Sequence, residues 1–334
     1  MFGAIVKFFK GEPNPGRQDR PLHEGPRLKL GLALSSGGAR GLAHVGVLQV
    51  LEENGIEVHA IAGSSMGACV ASLWAAGFSG AKLGELAAEM QDRRTLWRLA
   101  DPIVPPVKGL FRGLKAKAHL ERSLGDLKFE DLERELFVVT LDINTKERVV
   151  IRKGRISDAV HASCAMPGII APVLLDGRYC VDGGVVDPVP VGVLKKYSHV
   201  DRILAVSVIP TFQDVEKGVC MDEEEAPRSI FRRMMSGMNQ HVNLMAPGNA
   251  IDTFRQSIRA AQIRIAHDSV KGADLCLRPQ HFYAPWHDYS NFTRFIEAGR
   301  KVATDNLDVI RSLLNEDHQT HEDEKHNMVG ERVA

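Results

Sequence analysis

From Leu28 to Leu314 the sequence keeps one rhythm: short apolar runs, most of them followed by a stretch of helical periodicity. LKLGLAL (28–34) reads as a buried strand. Leu42, Val45, Leu48 and Leu51 then recur on one helical face up to Asn54-Gly55, a stop signal. IEVHAIAG leads into a second strand, and MGACVASLWAAG reads as the helix after it. LFVVTLDI, RVVIRKG, RYCVDGG, RILAVSVIP and GADLCLRP supply further strands. Strands separated by helices imply an α/β fold, a mostly parallel sheet with helices on both faces. Such sheets bind ligands at the carboxyl ends of strands, in the turns that open helices.

The remaining segments are set apart by composition. Residues 93–125 carry a Pro-Pro break and read as a loop-rich cap over the sheet. Residues 226–270 read as helical, with Met234, Met235, Met238 and Met245 as core filler or as a flexible apolar wall for an acyl chain. The first 27 residues form an arm and a Pro, Gly and charge-rich linker. Lys7 and Lys10 interrupt the arm's apolar stretch, so it lacks the core of a secretory signal; contact with a membrane surface is its sharper reading. The polar stretch 315–334 is expected to be disordered, which leaves 28–314 as the folded domain.

Overall balance excludes whole classes of function. Lys plus Arg and Asp plus Glu both number 42, with none of the basic excess of nucleic-acid binding. The five cysteines, Cys69, Cys164, Cys180, Cys220 and Cys276, contain no C-x-x-C pair. They fit reduced thiols in a cytosol-like compartment and argue against a structural zinc site.

Two strand-to-helix turns carry chemistry. Gly63-Ser64-Ser65-Met66-Gly67 is a G-x-S-x-G, and only Ser65 has glycines at both −2 and +2. That spacing allows a tight, strained turn that projects Ser65 at the start of a helix, with Ser64 as a structural neighbour. Earlier, Ser36-Gly37-Gly38-Ala39-Arg40-Gly41 follows the first strand. It matches neither G-x-x-x-x-G-K-[ST] nor G-x-G-x-x-G, the nucleotide-binding patterns. Its other use is as an oxyanion hole, with backbone N–H groups of Gly37, Gly38 and Ala39 facing a tetrahedral acyl intermediate. Arg40 is expected to form a salt bridge or cap a carbonyl. A third piece, Val181-Asp182-Gly183-Gly184, closes a strand. A desolvated Asp182 within reach of Ser65 could serve directly as general base.

In this order GGARG, GSSMG and DGG resemble the patatin-like phospholipase family, in particular its compact bacterial members. The similarity runs from about Lys29 to Leu314 and takes in ASCAMPGIIAPV (162–173), DGGVVDPVPV and WHDYSNFTRFIEAG. The family implies a three-layer α/β/α fold and a Ser–Asp dyad that hydrolyses acyl esters of glycerolipids. On this chain Ser65 matches the nucleophile, Asp182 the dyad carboxylate and residues 37–39 the oxyanion hole. Arg40, Gly41, Gly63, Gly67, Gly183 and Gly184 complete the motifs. Ser36 stands where the family often has the first of three glycines. The implied partner is a lipid, with no metal or other cofactor, in the cytoplasm and peripheral at the inner face of the membrane.

Two other readings stay open at this level. One is a Ser-Asp-His triad completed by His199, His241, His267, His281 or His287. The other is a non-catalytic regulator or scaffold that keeps the fold.

Overall fold

In a computed structural model, residues 28–105, 107–217, 250–280 and 287–315 are described. The arm 1–27, the stretch 316–334 and the methionines at 234, 235, 238 and 245 lie outside these residues.

Eight strands form one sheet: β1 Leu30–Leu34, β2 Ala60–Ser64, β3 Glu135–Asp142, β4 Arg148–Ile151, β5 Val173–Leu175, β6 Arg178–Asp182, β7 Arg202–Val206 and β8 Leu275–Leu277. Their order is β5-β6-β3-β2-β1-β7-β8, with β4 paired to β3. β3, β2, β1, β7 and β8 run parallel, while β4, β5 and β6 pair antiparallel. The sheet is mixed: five strands run parallel, as the alternation of strands and helices predicts, and the antiparallel strands gather at the β3 end. Two of the antiparallel pairs, β3–β4 and β5–β6, join consecutive strands, which a hairpin connects without a crossover. Asp176 and Gly177, at φ 48° and 76°, turn β5 into β6. This Asp-Gly pair is the sequence signal for β5, a strand absent from the expected set.

Strand side chains alternate between two cores. Leu30, Leu32, Leu34, Ile61, Leu136, Val138, Leu204 and Val206 face one layer, with Val45, Leu48, Ala71, Trp74, Phe295 and Ile310 of the helices packed there. Ala33, Ala60, Ala62, Phe137, Val139, Ile203 and Ala205 face the other, against Val191, Leu194, Ile263 and Ala266. Helices thus cover both faces in three layers. On the first face, helices Ala43–Glu53 and Phe292–Asp305 touch backbone to backbone. A Cβ on Gly46 would lie 1.9 Å from Ile296 O, and one on Gly299 would lie 1.8 Å from Ala43 O.

Residues 93–125 depart from the loop-rich expectation. Helices Arg93–Leu99 and Leu114–Leu124 flank a short hairpin, and Pro102 and Pro105 lie in the segment between them. Asp92 caps the first helix by accepting the Arg94 N–H at 3.0 Å. Within 226–270, helix Ala250–Ser269 is the described part.

Candidate active site

The register of β3 brings the motifs together. β4 occupies one edge of residues 138–141, so the other edge is shared by β2 (pairing with 135–139) and β6 (pairing with 140–142). β2 is parallel to β3 and β6 antiparallel, so their carboxyl ends meet head to head. Ser64 pairs with Val139 and Asp182 with the next residue, Thr140. Ser65 and Asp182, 117 residues apart in sequence, become neighbours.

Ser65 is the turn between β2 and helix Met66–Ala75, with φ 54° and ψ −122°. That conformation is strained for any residue with a Cβ and is typical of functional sites. The glycines on either side serve close approach. A Cβ on Gly63 would lie 2.5 Å from Gly67 O, and one on Gly67 would lie 2.3 Å from Leu34 O. Ser65 Oγ donates to Asp182 Oδ2 at 2.6 Å, and both residues are buried, at 8% and 4% exposure. Ser64 turns away and donates to Asp187 O at 2.5 Å.

Burial pushes the Asp182 carboxyl up to about 6 from 3.8, against the lowering effect of hydrogen bonds from Ser65 Oγ and Gly184 N–H. Cys164 adds to the closed surroundings: it interacts with the Ser65 side chain and Asp182, and burial holds its thiol well above the usual range. Behind Asp182, Gly183 runs against β3, where a Cβ would lie 2.1 Å from Val139 O.

The run from Asp182 to Pro188 brackets all three motifs. Asp182 holds Ser65, Asp187 O holds Ser64, and Pro188 O accepts the Ser36 N–H at 2.9 Å. Arg148 on β4 pins Asp187 at 2.5 Å. Ser36 is outside the positive-φ region, so the loop accommodates it in place of glycine. Gly38–Leu42 form a 3-10 turn with Gly37 as its N-cap. In such a turn the N–H groups of Gly37, Gly38 and Ala39 precede the first internal bond and have no partner within it. Arg40 is buried in this turn, and Gly41 lies against Met66, whose Cγ would be 2.6 Å from a Cβ there. A Cβ on Gly184 would lie 2.7 Å from Ser36 Oγ and 2.9 Å from Asp182 Oδ1.

Two histidines near the motifs are otherwise engaged: His44 Nε2 bonds to Ser35 O at 2.8 Å and His161 Nε2 to Arg112 O at 3.1 Å. Burial lowers His44 to about 4. His199, His267 and His287 are exposed, and His241 and His281 lie outside the described residues. The hydroxyl of Ser65 meets a carboxylate and no described imidazole.

Sequence reasoning did not single out Ser163. Its Oγ accepts the Ser65 N–H at 2.9 Å and donates to Val139 O at 2.6 Å, tying the strained turn to β3. The available signal was its place in the ASCAMPG stretch. Ser163→Ala leaves two buried backbone groups unpaired, so it should cost about 1–3 kcal/mol in denaturant unfolding.

Residues 32–195, just under half of the chain, match the family model described as patatin-like phospholipase. An uncharacterized NTE family protein of Mycobacterium tuberculosis is 39% identical over 182 residues, covering 54% of this chain and 49% of that protein. Lysophospholipase NTE1 of Candida albicans is 31% identical over 180 residues, 54% of this chain and 13% of that protein. Among solved structures, VipD from Legionella pneumophila aligns with a TM-score of 0.44 at 14% identity, covering 92% of this chain and 73% of that one. The chain spans about half the length of the first curated relatives it matches, 49% of each.

Proposed function

Residues 32–195 match the family model described as patatin-like phospholipase, and on that premise we propose that the protein is a serine acyl hydrolase. It cleaves fatty-acyl esters of lipids with Ser65 as nucleophile and Asp182 as its base. The observation that carries this reading is the 2.6 Å bond from Ser65 Oγ to a buried carboxylate raised to about 6. A base is most useful when it titrates near the working pH, and no second residue is needed to relay the proton.

The chemistry runs in two steps. Asp182 takes the Ser65 proton as Oγ bonds to the ester carbonyl carbon, and the negative charge moves to the carbonyl oxygen. The N–H groups of Gly37, Gly38 and Ala39 stabilise that oxyanion. As the intermediate collapses, the carbon–oxygen bond to the leaving group breaks, and Asp182 returns its proton to the departing alcohol. Water then gives a proton to Asp182 and attacks the acyl-serine. Collapse releases the fatty acid and restores the Ser65 hydroxyl. The closed surroundings keep the dyad desolvated, which strengthens each of these charge interactions.

The test is hydrolysis of a panel of phospholipid, lysophospholipid and simple acyl esters across pH. Asp182 must be ionised to accept the proton, so kcat/KM should fall about tenfold per pH unit below about 6 and level off above it. Absence of turnover on every ester, together with resistance to a fluorophosphonate, would instead favour a scaffold that keeps the fold.

A further inference from the structure

A hairpin that pairs residues 101–103 with 110–112 stands beside the candidate active site. Ile103 N–H donates to Leu110 O at 2.9 Å and Arg112 N–H to Asp101 O at 3.0 Å. One side is tied to residues 169–171: Phe111 N–H donates to Ile169 O at 2.9 Å, and Ala171 N–H donates to Phe111 O at 2.9 Å. The stretch just before these residues touches the dyad. Ser163 Oγ holds the Ser65 N–H, and Ala165 O accepts the Asp182 N–H at 2.9 Å. The hairpin is thus connected to the reacting groups by one short segment.

Its tip is apolar and open. Val104 is 88% exposed and Val107 80%. The next residue, Lys108, places Nζ 6.0 Å from the centre of the Tyr179 ring. Tyr179 pairs across β5 and β6 with Leu174, which is 61% exposed. These contacts join the tip and the β5–β6 turn into one strip of exposed apolar side chains, with Lys108 at the tip and Arg112 at the base of the same hairpin, both exposed. Asp176 is the acid of that turn.

Charge selects the occupant. Residues 93–125 hold eight Lys and Arg against two acids, in a chain balanced at 42 and 42. Both acids are turned to internal partners: Asp101 accepts the Gly113 and Leu114 N–H groups at 2.8 Å each, and Glu121 pairs with Lys117 at 3.3 Å. Exposed valines beside Lys108, on a hairpin whose base carries Arg112 and whose flanking helices carry the other basic residues, match a bilayer, whose acyl layer receives the apolar tips while its phosphates meet the cations. We propose that this strip, the 101–112 hairpin tip with the β5–β6 turn, is the face by which the protein lies on an anionic phospholipid surface.

The choice of a bilayer rests on the lipid-hydrolase reading, so the experiment is arranged to separate the two. The full chain carrying Ser65→Ala, which does not need to hydrolyse anything, is sedimented with phosphatidylcholine vesicles and with phosphatidylcholine–phosphatidylglycerol vesicles. Binding to the anionic vesicles is expected, and much less to the neutral ones. A basic residue near an anionic surface contributes roughly fivefold in partition, so Lys108→Glu with Arg112→Glu should weaken binding at least about tenfold. Val104→Asp with Val107→Asp should weaken it by a similar factor. Melting temperatures close to that of the parent would exclude misfolding, because all four side chains are exposed. Full binding by both double variants, or equal binding to neutral vesicles, would overturn the proposal. So would a change in self-association with vesicle binding unaltered, which would assign the strip to a second copy of the chain. Failure to bind leaves the hydrolase reading standing, and failure to hydrolyse leaves binding measurable.

Discussion

Ser65→Ala is expected to reduce ester hydrolysis by about 10⁴-fold or more, with the fold intact. Loss of a nucleophile abolishes the covalent route and leaves only what binding and the oxyanion site provide. The neighbouring Ser64→Ala separates position from proximity. Ser64 Oγ is committed to Asp187 O at 2.5 Å, so its loss should affect stability more than chemistry. Ser65→Gly adds a second readout. At φ 54° and ψ −122° a Cβ is strained, and glycine relieves a cost of roughly 1–3 kcal/mol. The glycine variant should therefore melt higher than the alanine variant while being equally inactive. Substantial turnover by Ser65→Ala would remove the nucleophile from the scheme.

Asp182→Asn is expected to lower kcat about 10³-fold or more and, at the same time, to stabilise the protein at neutral pH. The first effect follows because an amide cannot accept the Ser65 proton. The second follows from the raised carboxyl, which sits at about 6 in the fold against 3.8 as its ordinary value. Between these values the folded state holds a proton that the unfolded chain has lost. Stability is therefore greatest below about 4 and falls as pH rises through about 6. Roughly two pH units correspond to about 3 kcal/mol, the order of the penalty for the buried anion above that range. Asparagine removes the penalty and can still accept the Gly184 N–H. The gain over wild type should appear in denaturant unfolding at pH 8 and vanish near pH 4. A variant that is inactive but not stabilised at pH 8 would mean that the carboxylate is better solvated than its surroundings imply.

Much of this site was legible because its local pieces obey local rules. Gly63 and Gly67 bracket Ser65 in sequence because the chain packs too closely at both for any side chain. The alternation of LGLAL between large and small residues likewise reports the two faces of the sheet. What could not be read was register between distant strands. Nothing in LFVVTLDI announces that its one edge is divided between β2 and β6, yet that division is what joins Ser65 to Asp182. Ser163 and the anchoring of Asp187 by Arg148 are similarly non-local. The Pro-Pro break at 105–106 suggested a loop-rich cap, although helices Arg93–Leu99 and Leu114–Leu124 precede and follow it in the chain. Proline marks where a helix cannot continue and says nothing of the helix that follows.

The most direct test of the central claim is peptide mass spectrometry after brief fluorophosphonate treatment, from pH 5 to pH 8. A single adduct on Ser65 is predicted, forming faster as pH rises through about 6 and nearly absent in Asp182→Asn. An adduct on Ser64 or Ser163, or labelling of Ser65 that is indifferent to Asp182→Asn, would contradict it.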